Sequence, residues 1–173
     1  MTHVSSEVPM EVQVTGMVRR FRQIGETTMR DLPFYNHALA VEAVDFQPLG
    51  DDQWIGVLVT PWFMNVIVLP RRMRPLDEAV IGQRIDEDVP VGRRRFLLAG
   101  DAVIGQYKML SLHSPMNGFR FQEFARIEAR KCLRALLAPP HDPEDEAAAA
   151  EARRPAMGRR AFLSGRGVVC GGE

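Results

Sequence analysis

The longest apolar run in the chain, residues 54–70, limits what this sequence can fold into more than any other feature. Pro61 lies near its middle, has no backbone N–H to donate, and biases Thr60 away from helical backbone angles. One long helix is therefore disfavoured, and Asn65 further disfavours a membrane span. The run predicts two strands, 55–59 and 65–69, which are apolar at nearly every position, as is typical of strands covered on both faces.

The joint between these two strands is unusual, because Trp, Phe and Met stand where a solvated turn has Asn, Asp or Gly. Such side chains either complete the core or form a docking patch for a partner, and both interpretations stay open. A second set of residues follows the last predicted strand and is marked by a proline. The candidate partner-binding residues at these two sheet ends are Trp62, Phe63, Met64, Ser114, Pro115 and Met116.

Two amphipathic helices flank the predicted strands. Apolar residues recur at helical spacing over 11–29 and 119–137, and Pro33 and Pro139 follow the respective ends. The second helix is predicted to place Phe121 and Phe124 on its apolar side and to expose Arg126, Arg130 and Arg134. With further strands at 41–46, 95–99 and 103–112, the expected fold is α+β. It has a five-stranded, mainly antiparallel sheet with an N-terminal and a C-terminal helix packed on it, both on one face.

A long charged segment, residues 71–92, interrupts the sheet. It offers a weak helical signal at 76–81, and arginines flank it at 71–74 and 93–95. One interpretation is a solvated loop whose acids and arginines pair internally. The other is a rim of alternating charge around the apolar docking patch, where charges set orientation and association rate.

The composition also divides the chain into four regions. Residues 1–10 are expected to be disordered, 11–138 to form a single α+β domain, and 139–158 to form an acidic, alanine-rich spacer without an apolar stripe. The tail, 159–173, holds a small apolar unit between basic residues. It is predicted to dock on the core or on a partner through Arg159, Arg160 and Phe162.

Charge and the N-terminal sequence exclude some classes of function. The chain has 22 basic and 22 acidic residues, so its formal net charge of zero argues against a general nucleic-acid binder. The N-terminal residues have neither a basic region nor an apolar stretch of the kind that directs secretion. We therefore expect a cytoplasmic protein that does not insert into a membrane.

Residue types that carry catalysis or bind metals are scattered. There is no G-x-S-x-G motif, the cysteines Cys132 and Cys170 form no C-x-x-C pair, and the four histidines form no H-x-x-x-H pair. No catalytic residue, cofactor or metal site is therefore expected, and Cys132 is interpreted as a core residue. The alternative is a small hydrolase or transferase with a site near Ser114 and His113.

Several motifs between residues 29 and 166 resemble one family and follow its order. They are M-R-D-L-P-F at 29–34, A-V-E-A-V-D-F at 40–46, T-P-W-F-M-N at 60–65 with V-L-P at 68–70, P-V-G-R-R-R-F at 90–96, I-G-Q-Y at 104–107, S-L-H-S-P-M at 111–116 and R-R-A-F-L-S-G-R at 159–166. The chain on this basis resembles the HybE/HupJ/HoxT family of [NiFe]-hydrogenase assembly chaperones.

This resemblance implies a non-enzymatic chaperone that binds hydrogenase subunit precursors during maturation and delays their twin-arginine export until cofactor assembly is complete. The implied partner is the precursor of the small, iron–sulfur subunit, with the large subunit and other maturation proteins as further partners. Related members are linked to protecting cluster assembly from oxygen. Some are fused to a rubredoxin domain, and the absence of a C-x-x-C pair here implies that any iron or redox role belongs to another protein.

Overall fold

The computed structural model describes residues 7–140. Most of the predicted spacer, 141–158, and the whole predicted tail, with Arg159, Arg160 and Phe162, lie outside the described residues. The elements in chain order are helix α1 (Met10–Ile24), a π-helical turn (Gly25–Met29), strands β1 (Glu42–Leu49), β2 (Gln53–Val59), β3 (Met64–Pro70), β4 (Arg84–Val89), β5 (Gly92–Asp101) and β6 (Gly105–His113), and helix α2 (Gln122–Leu137).

All strands belong to one six-stranded sheet in the order β1-β2-β3-β6-β5-β4. Every neighbouring pair is antiparallel. The predicted α+β class and the antiparallel sheet are confirmed. Strands β2 and β3 form the centre with β6, as their continuous apolar sequences require. No helix among the described residues is long and apolar enough to cross a bilayer.

The predicted count of five strands is wrong because β4 lies inside the charged segment. Its sequence, R-I-D-E-D-V, has few strong strand formers. Its acids instead pair with arginines of β5, with Asp86–Arg95 at 3.2 Å and Asp88–Arg93 at 3.1 Å. The interpretation in which the acids of this segment pair with the neighbouring arginines therefore agrees with the structure. Residues 78–82 are turns rather than the helix suggested at 76–81.

The two helices cover opposite faces of the sheet, so the prediction of one shared face is wrong. Neighbouring residues of β2 illustrate why: Val57 points into the core under α2, and Leu58 points into the core under α1. Strands that are apolar on both faces need cover on both. The α1 core includes Met17, Phe21, Leu58, Trp62, Ile67, Leu69 and Tyr107, and the α2 core includes Val57, Val66, Phe96, Met116, Ala129 and Leu133.

A β-bulge in β1 changes which face its side chains reach. The register with β2 shifts between Val44 and Gln47, and Asp45 has a positive φ of 49°. Val44 consequently packs in the α2 core, whereas Phe46 packs against the α1 core. The Phe46 ring lies directly over Gly56 of β2, where a Cβ atom would be 2.3 Å from its Cδ2. The imperfect alternation of β1 reflects this bulge.

The described residues before α1 also contact the sheet region. Glu7 bridges to Arg72, and the Val8 N–H donates to the Arg71 carbonyl at 3.1 Å. Helix α1 then starts at Met10. These contacts attach the segment before α1 to the chain that follows β3.

Candidate partner-binding surface

Three segments that carry the quoted motifs meet at one end of the sheet, and Asn36 holds them together. Its backbone N–H donates to the Pro61 carbonyl at 2.9 Å. Its side-chain amide donates to the carbonyls of Met116 at 3.0 Å and Phe119 at 2.7 Å. One residue thus fixes the β2–β3 turn and the loop after β6 relative to each other. Each bond also satisfies a backbone acceptor in a loop that lacks strand partners.

The β2–β3 turn is closed by Thr60 rather than by a typical turn residue. The Phe63 N–H donates to the Thr60 hydroxyl oxygen at 2.9 Å, and the Thr60 N–H donates to the Phe63 carbonyl at 2.8 Å. A hydroxyl that accepts from the turn backbone replaces the side chain of Asn or Asp. The apolar residues of the turn are therefore free to serve packing.

Three predicted binding residues are core residues in this structure. Trp62 is 8% exposed, and Met64 and Met116 are 0% exposed. The Trp62 ring stacks on Tyr35 at a centroid distance of 6.0 Å and packs against Phe21 at 6.5 Å. The core interpretation therefore describes these three side chains, and a docking patch cannot include them without opening the core.

The remaining described candidates lie at or near the surface. Phe63 is half-buried against Phe21, whereas Ser114 and Pro115 are exposed. The Ser114 hydroxyl donates to the Trp62 carbonyl at 3.5 Å. Partner binding at Phe63, Ser114 and Pro115 stays a prediction.

An exposed apolar stripe on the first half of α2 is the surface that sequence reasoning missed. Phe121, Phe124 and Ile127 are 62%, 55% and 52% exposed. The rings of Phe121 and Phe124 contact edge to face at 5.7 Å. Phe121 and Phe124 were expected on the core side of the helix, and the structure corrects this. The buried face is formed by Ala125, Ala129, Leu133 and Leu136.

The small buried residues of α2 are the signal that identifies its core face. Alanines at 125 and 129 with leucines at 133 and 136 recur at helical spacing and let the helix approach β2 closely. The two large aromatic rings begin the helix but lie outside this stripe. Large apolar side chains alone therefore indicate the wrong face of α2 as its core face.

Two of the three arginines predicted to be exposed on α2, Arg126 and Arg130, instead attach the helix to β1, whereas Arg134 is exposed as predicted. Arg126 bonds to Glu42 at 2.7 Å, and Gln122 donates to the same carboxylate at 2.6 Å. Arg130 pairs with Asp45 at 3.3 Å. Partial burial opposes ionisation of Glu42, but these donors outweigh it and keep the pKa of its carboxyl below the ordinary value. The orientation of the aromatic stripe is therefore fixed by polar contacts at its base.

On the other flank of α2, His113, Glu128 and Cys132 converge. Glu128 Oε1 lies 3.7 Å from His113 Nε2 and 3.6 Å from Cys132 Sγ. Burial and the Glu128 carboxylate raise the pKa of the Cys132 thiol. Burial opposes ionisation of Glu128 as well, yet Lys131 and the Cys132 thiol hold the pKa of its carboxyl below the ordinary value. Cys132 was expected to be a core residue, but the structure shows it half-buried.

The residues suggested for hydrolase or transferase chemistry do not form a catalytic pair. The Ser114 hydroxyl is directed to the Trp62 carbonyl, and His113 faces Glu128. Within residues 7–140, no hydrogen bond joins Ser114 to His113. A histidine that activates a serine must be within hydrogen-bond reach of its hydroxyl.

The structure thus defines a class: an α+β domain with a six-stranded antiparallel sheet between two helices and an aromatic surface beside its motif-bearing loops. The solution structure of HybE from Escherichia coli shares this fold. It superposes with a TM-score of 0.58 at 26% identity, and the match covers 91% of each chain.

Sequence comparison gives the family. The family described as "[NiFe]-hydrogenase assembly, chaperone, HybE" matches residues 13–165. The hydrogenase expression/formation protein HupJ of Bradyrhizobium diazoefficiens is 40% identical over 148 residues, covering 84% of this chain and 83% of HupJ. The protein HoxT of Cupriavidus necator is 37% identical over 169 residues, covering 89% of each. The chain belongs to the HybE family of [NiFe]-hydrogenase assembly chaperones.

Proposed function

We propose that this chain is a non-enzymatic chaperone that binds the precursor of a [NiFe]-hydrogenase small subunit in the cytoplasm and delays its export until cofactor assembly is complete. Membership of an assembly chaperone family supports a hydrogenase subunit as the partner. The separate engagement of Ser114 and His113 supports a role without catalysis. The large-subunit precursor and other maturation proteins are further partners in this proposal.

The exposed stripe of Phe121, Phe124 and Ile127 carries the proposal. All three side chains are more than half exposed, and two are aromatic. Grouped exposed apolar residues mark interaction sites on soluble proteins, and buried aromatic anchors dominate the energy of many interfaces. Within residues 7–140, none of the three belongs to the α2 core or to the partly buried side chains packed against it, so we assign them to a partner.

Charged residues surround the stripe as the rim of an interface would. Glu123 and Lys131 lie on the same helix with side chains 58% and 75% exposed. Arg120 is exposed immediately before Phe121. An apolar centre with a charged rim of both signs suits a transient complex, because the rim sets orientation and the centre supplies affinity.

The loop that follows β6 leads directly into the exposed stripe, because residues 117–120 immediately precede Phe121. A shallow groove between residues 35–38 and 117–120 is lined by Tyr35, His37, Phe119 and Arg120. Phe119 packs edge to face on His113 at 5.2 Å. Arg120 lines the groove and directly precedes Phe121, so we treat the groove and the stripe as one surface, which we call the α2 surface.

Capture by the full-length tagged chain tests the α2 surface. Phe124→Gln retains a good helix former while removing the aromatic ring. We expect it to weaken capture of a purified small-subunit precursor at least about tenfold, as the loss of an interface anchor does. The matched control is Val103→Gln in the β5–β6 turn, because Val103 is 61% exposed but remote in sequence and on another element.

Equal capture by Phe124→Gln and the wild type contradicts the assignment of the stripe, as does an equal loss in Val103→Gln. Parallel captures with the large-subunit precursor identify the preferred subunit. The export function is tested in cells that lack the chaperone, where small-subunit precursor is expected to reach the membrane before its clusters are assembled. Retention of the precursor in those cells contradicts export control but leaves subunit binding standing.

A further inference from the structure

We propose that His113, Glu128 and Cys132 form a binding site for a divalent transition-metal ion of the zinc type. The side chains come from two elements: His113 is the last residue of β6, and the other two lie one turn apart on α2. Sequence spacing predicted no metal site, because no histidine pair or C-x-x-C pair is present. The fold brings His113 to Glu128 and Cys132, and this set of side chains matches none of those local spacing patterns.

The distances between the ligand atoms fit a bound ion. His113 Nε2, Glu128 Oε1 and Cys132 Sγ all lie within 4.8 Å of one another. Glu128 Oε1 is 3.7 Å from the imidazole nitrogen and 3.6 Å from the sulfur. A tetrahedral zinc ion with bonds of about 2.0–2.3 Å separates its ligand atoms by roughly 3.3–3.8 Å. Two of the three separations fall in this range, and the third, between His113 Nε2 and Cys132 Sγ, is at most 4.8 Å.

The chemistry of the donor set selects the class of ion. One imidazole nitrogen, one sulfur and one carboxylate oxygen are the three ligand types that zinc accepts, whereas magnesium and calcium require oxygen. A neutral imidazole, a thiolate and a carboxylate together neutralise the charge of a divalent ion. The ion replaces the thiol proton, which passes to solvent. Three protein ligands leave a fourth position for water or another donor.

Neighbouring groups hold the ligands without occupying their metal-facing atoms. Lys131 pairs with Glu128 through Oε2 at 3.5 Å, which leaves Oε1 directed at the other two ligands. The Phe119 ring packs edge to face on the His113 imidazole at 5.2 Å and restricts its rotation. The His113 and Glu128 side chains are 38% and 29% exposed, so an ion has access from solvent. Such outer contacts orient ligands in metal sites.

Cobalt titration of the metal-free, full-length chain tests this site. Wild-type protein is expected to bind one equivalent of Co²⁺ with a thiolate-to-cobalt charge-transfer absorption that Zn²⁺ removes by displacement. Cys132→Ser is expected to abolish that absorption, and His113→Gln and Glu128→Gln are each expected to weaken the apparent affinity at least about tenfold. The matched controls Cys170→Ser and His37→Gln are expected to bind as the wild type does.

Alkylation of the wild-type chain provides a second test, which does not depend on whether Cys132→Ser folds. One equivalent of Zn²⁺ is expected to protect Cys132 from alkylation in the wild-type chain while Cys170 continues to react, as shown by peptide mapping. The proposal is overturned if the cobalt absorption persists in Cys132→Ser, if Cys170→Ser removes it, or if Zn²⁺ leaves the alkylation of Cys132 unchanged. The site is independent of the proposed function, because subunit capture is measured separately.

Discussion

Trp62 shows how a single residue at a turn becomes part of a core. Its ring is 8% exposed and is enclosed by Phe21 and Tyr35. A Cβ atom on Gly25 would lie 3.2 Å from its Cζ3, so the π-helical turn also approaches the indole closely. Thr60 makes the hydrogen bonds that close the turn with Phe63, so Trp62 is not required for them. The indole therefore locks the end of α1 to the sheet.

Replacing Trp62 by Ala is expected to lower the free energy of unfolding by roughly 3–5 kcal/mol, because it leaves a large cavity between α1 and the sheet. Urea unfolding followed by circular dichroism measures the loss. Phe121→Ala is the matched control, since its ring is 62% exposed and its loss is expected to cost no more than about 0.5 kcal/mol. A small cost for Trp62→Ala would place the indole outside the core.

Glu42 couples stability to pH. Its pKa is depressed in the folded chain, where Arg126 and Gln122 bind the carboxylate. The stabilisation is therefore complete above the ordinary value of 4.5 and is lost as pH falls through the lower folded value. We expect Glu42→Gln to lose less stability than the wild type on acidification below that value. Thermal unfolding across this pH range measures it, with exposed Glu78→Gln as the control, and parallel curves for Glu42→Gln and the wild type would contradict the coupling.

At the scale of elements, the central strands and both helices could be predicted because their patterns are strong. The run at 54–70 contains its own signal for two fully covered strands, and Pro61 divides them. Strand β4 could not be predicted, since Asp86 and Asp88 gain their strand partners only from β5. The side of the sheet that each helix covers also depends on tertiary packing.

Little of the candidate site could be predicted from the sequence. The motif-bearing loops were identified, yet Met64 and Met116 proved to be buried. Which face of α2 is exposed depends on which helical stripe packs against the sheet. In this structure the packed stripe contains Ala125 and Ala129. The approach of His113 to α2 is a contact between residues far apart in sequence, which local spacing does not report.

The pairing of β1 with β2 depends on a glycine. Gly56→Ala is expected to lower stability by roughly 1–3 kcal/mol, because the new methyl group would meet the Phe46 ring at 2.3 Å. Chemical unfolding of the single and double variants measures it. In the Phe46→Ala background the added cost of Gly56→Ala is expected to become much smaller, since the obstructing ring is gone. Equal costs in both backgrounds would show that the ring does not restrict this position.

At the scale of the whole molecule, the described residues, 7–140, include a six-stranded sheet, helices α1 and α2, and the two cores between them. Each face has its own cover, α1 on one side and α2 on the other. The contacts Val8–Arg71 and Val91–Leu136 attach the two ends of this region to the sheet. The region has what independent folding requires.

Truncation after Pro140 is therefore expected to leave a cooperatively folding chain whose melting temperature lies within a few degrees of the full-length value. Calorimetry of both chains measures this. Subunit capture by the truncated chain then tests the predicted role of Arg159, Arg160 and Phe162. Loss of capture with unchanged melting assigns these residues to partner binding, and a large drop in melting temperature contradicts an independent fold for residues 1–140.

The two edges of the sheet determine how a partner can be held. Strand β1 carries a bulge and Pro48, and the six-residue β4 carries exposed charges at Asp86 and Asp88. Bulges, prolines, short strands and charges all hinder the addition of a foreign strand. Addition of a strand from an unassembled subunit is therefore disfavoured at both edges. We infer that such a subunit is held through side-chain contacts, so that it can dissociate without breaking the backbone hydrogen bonds of a sheet.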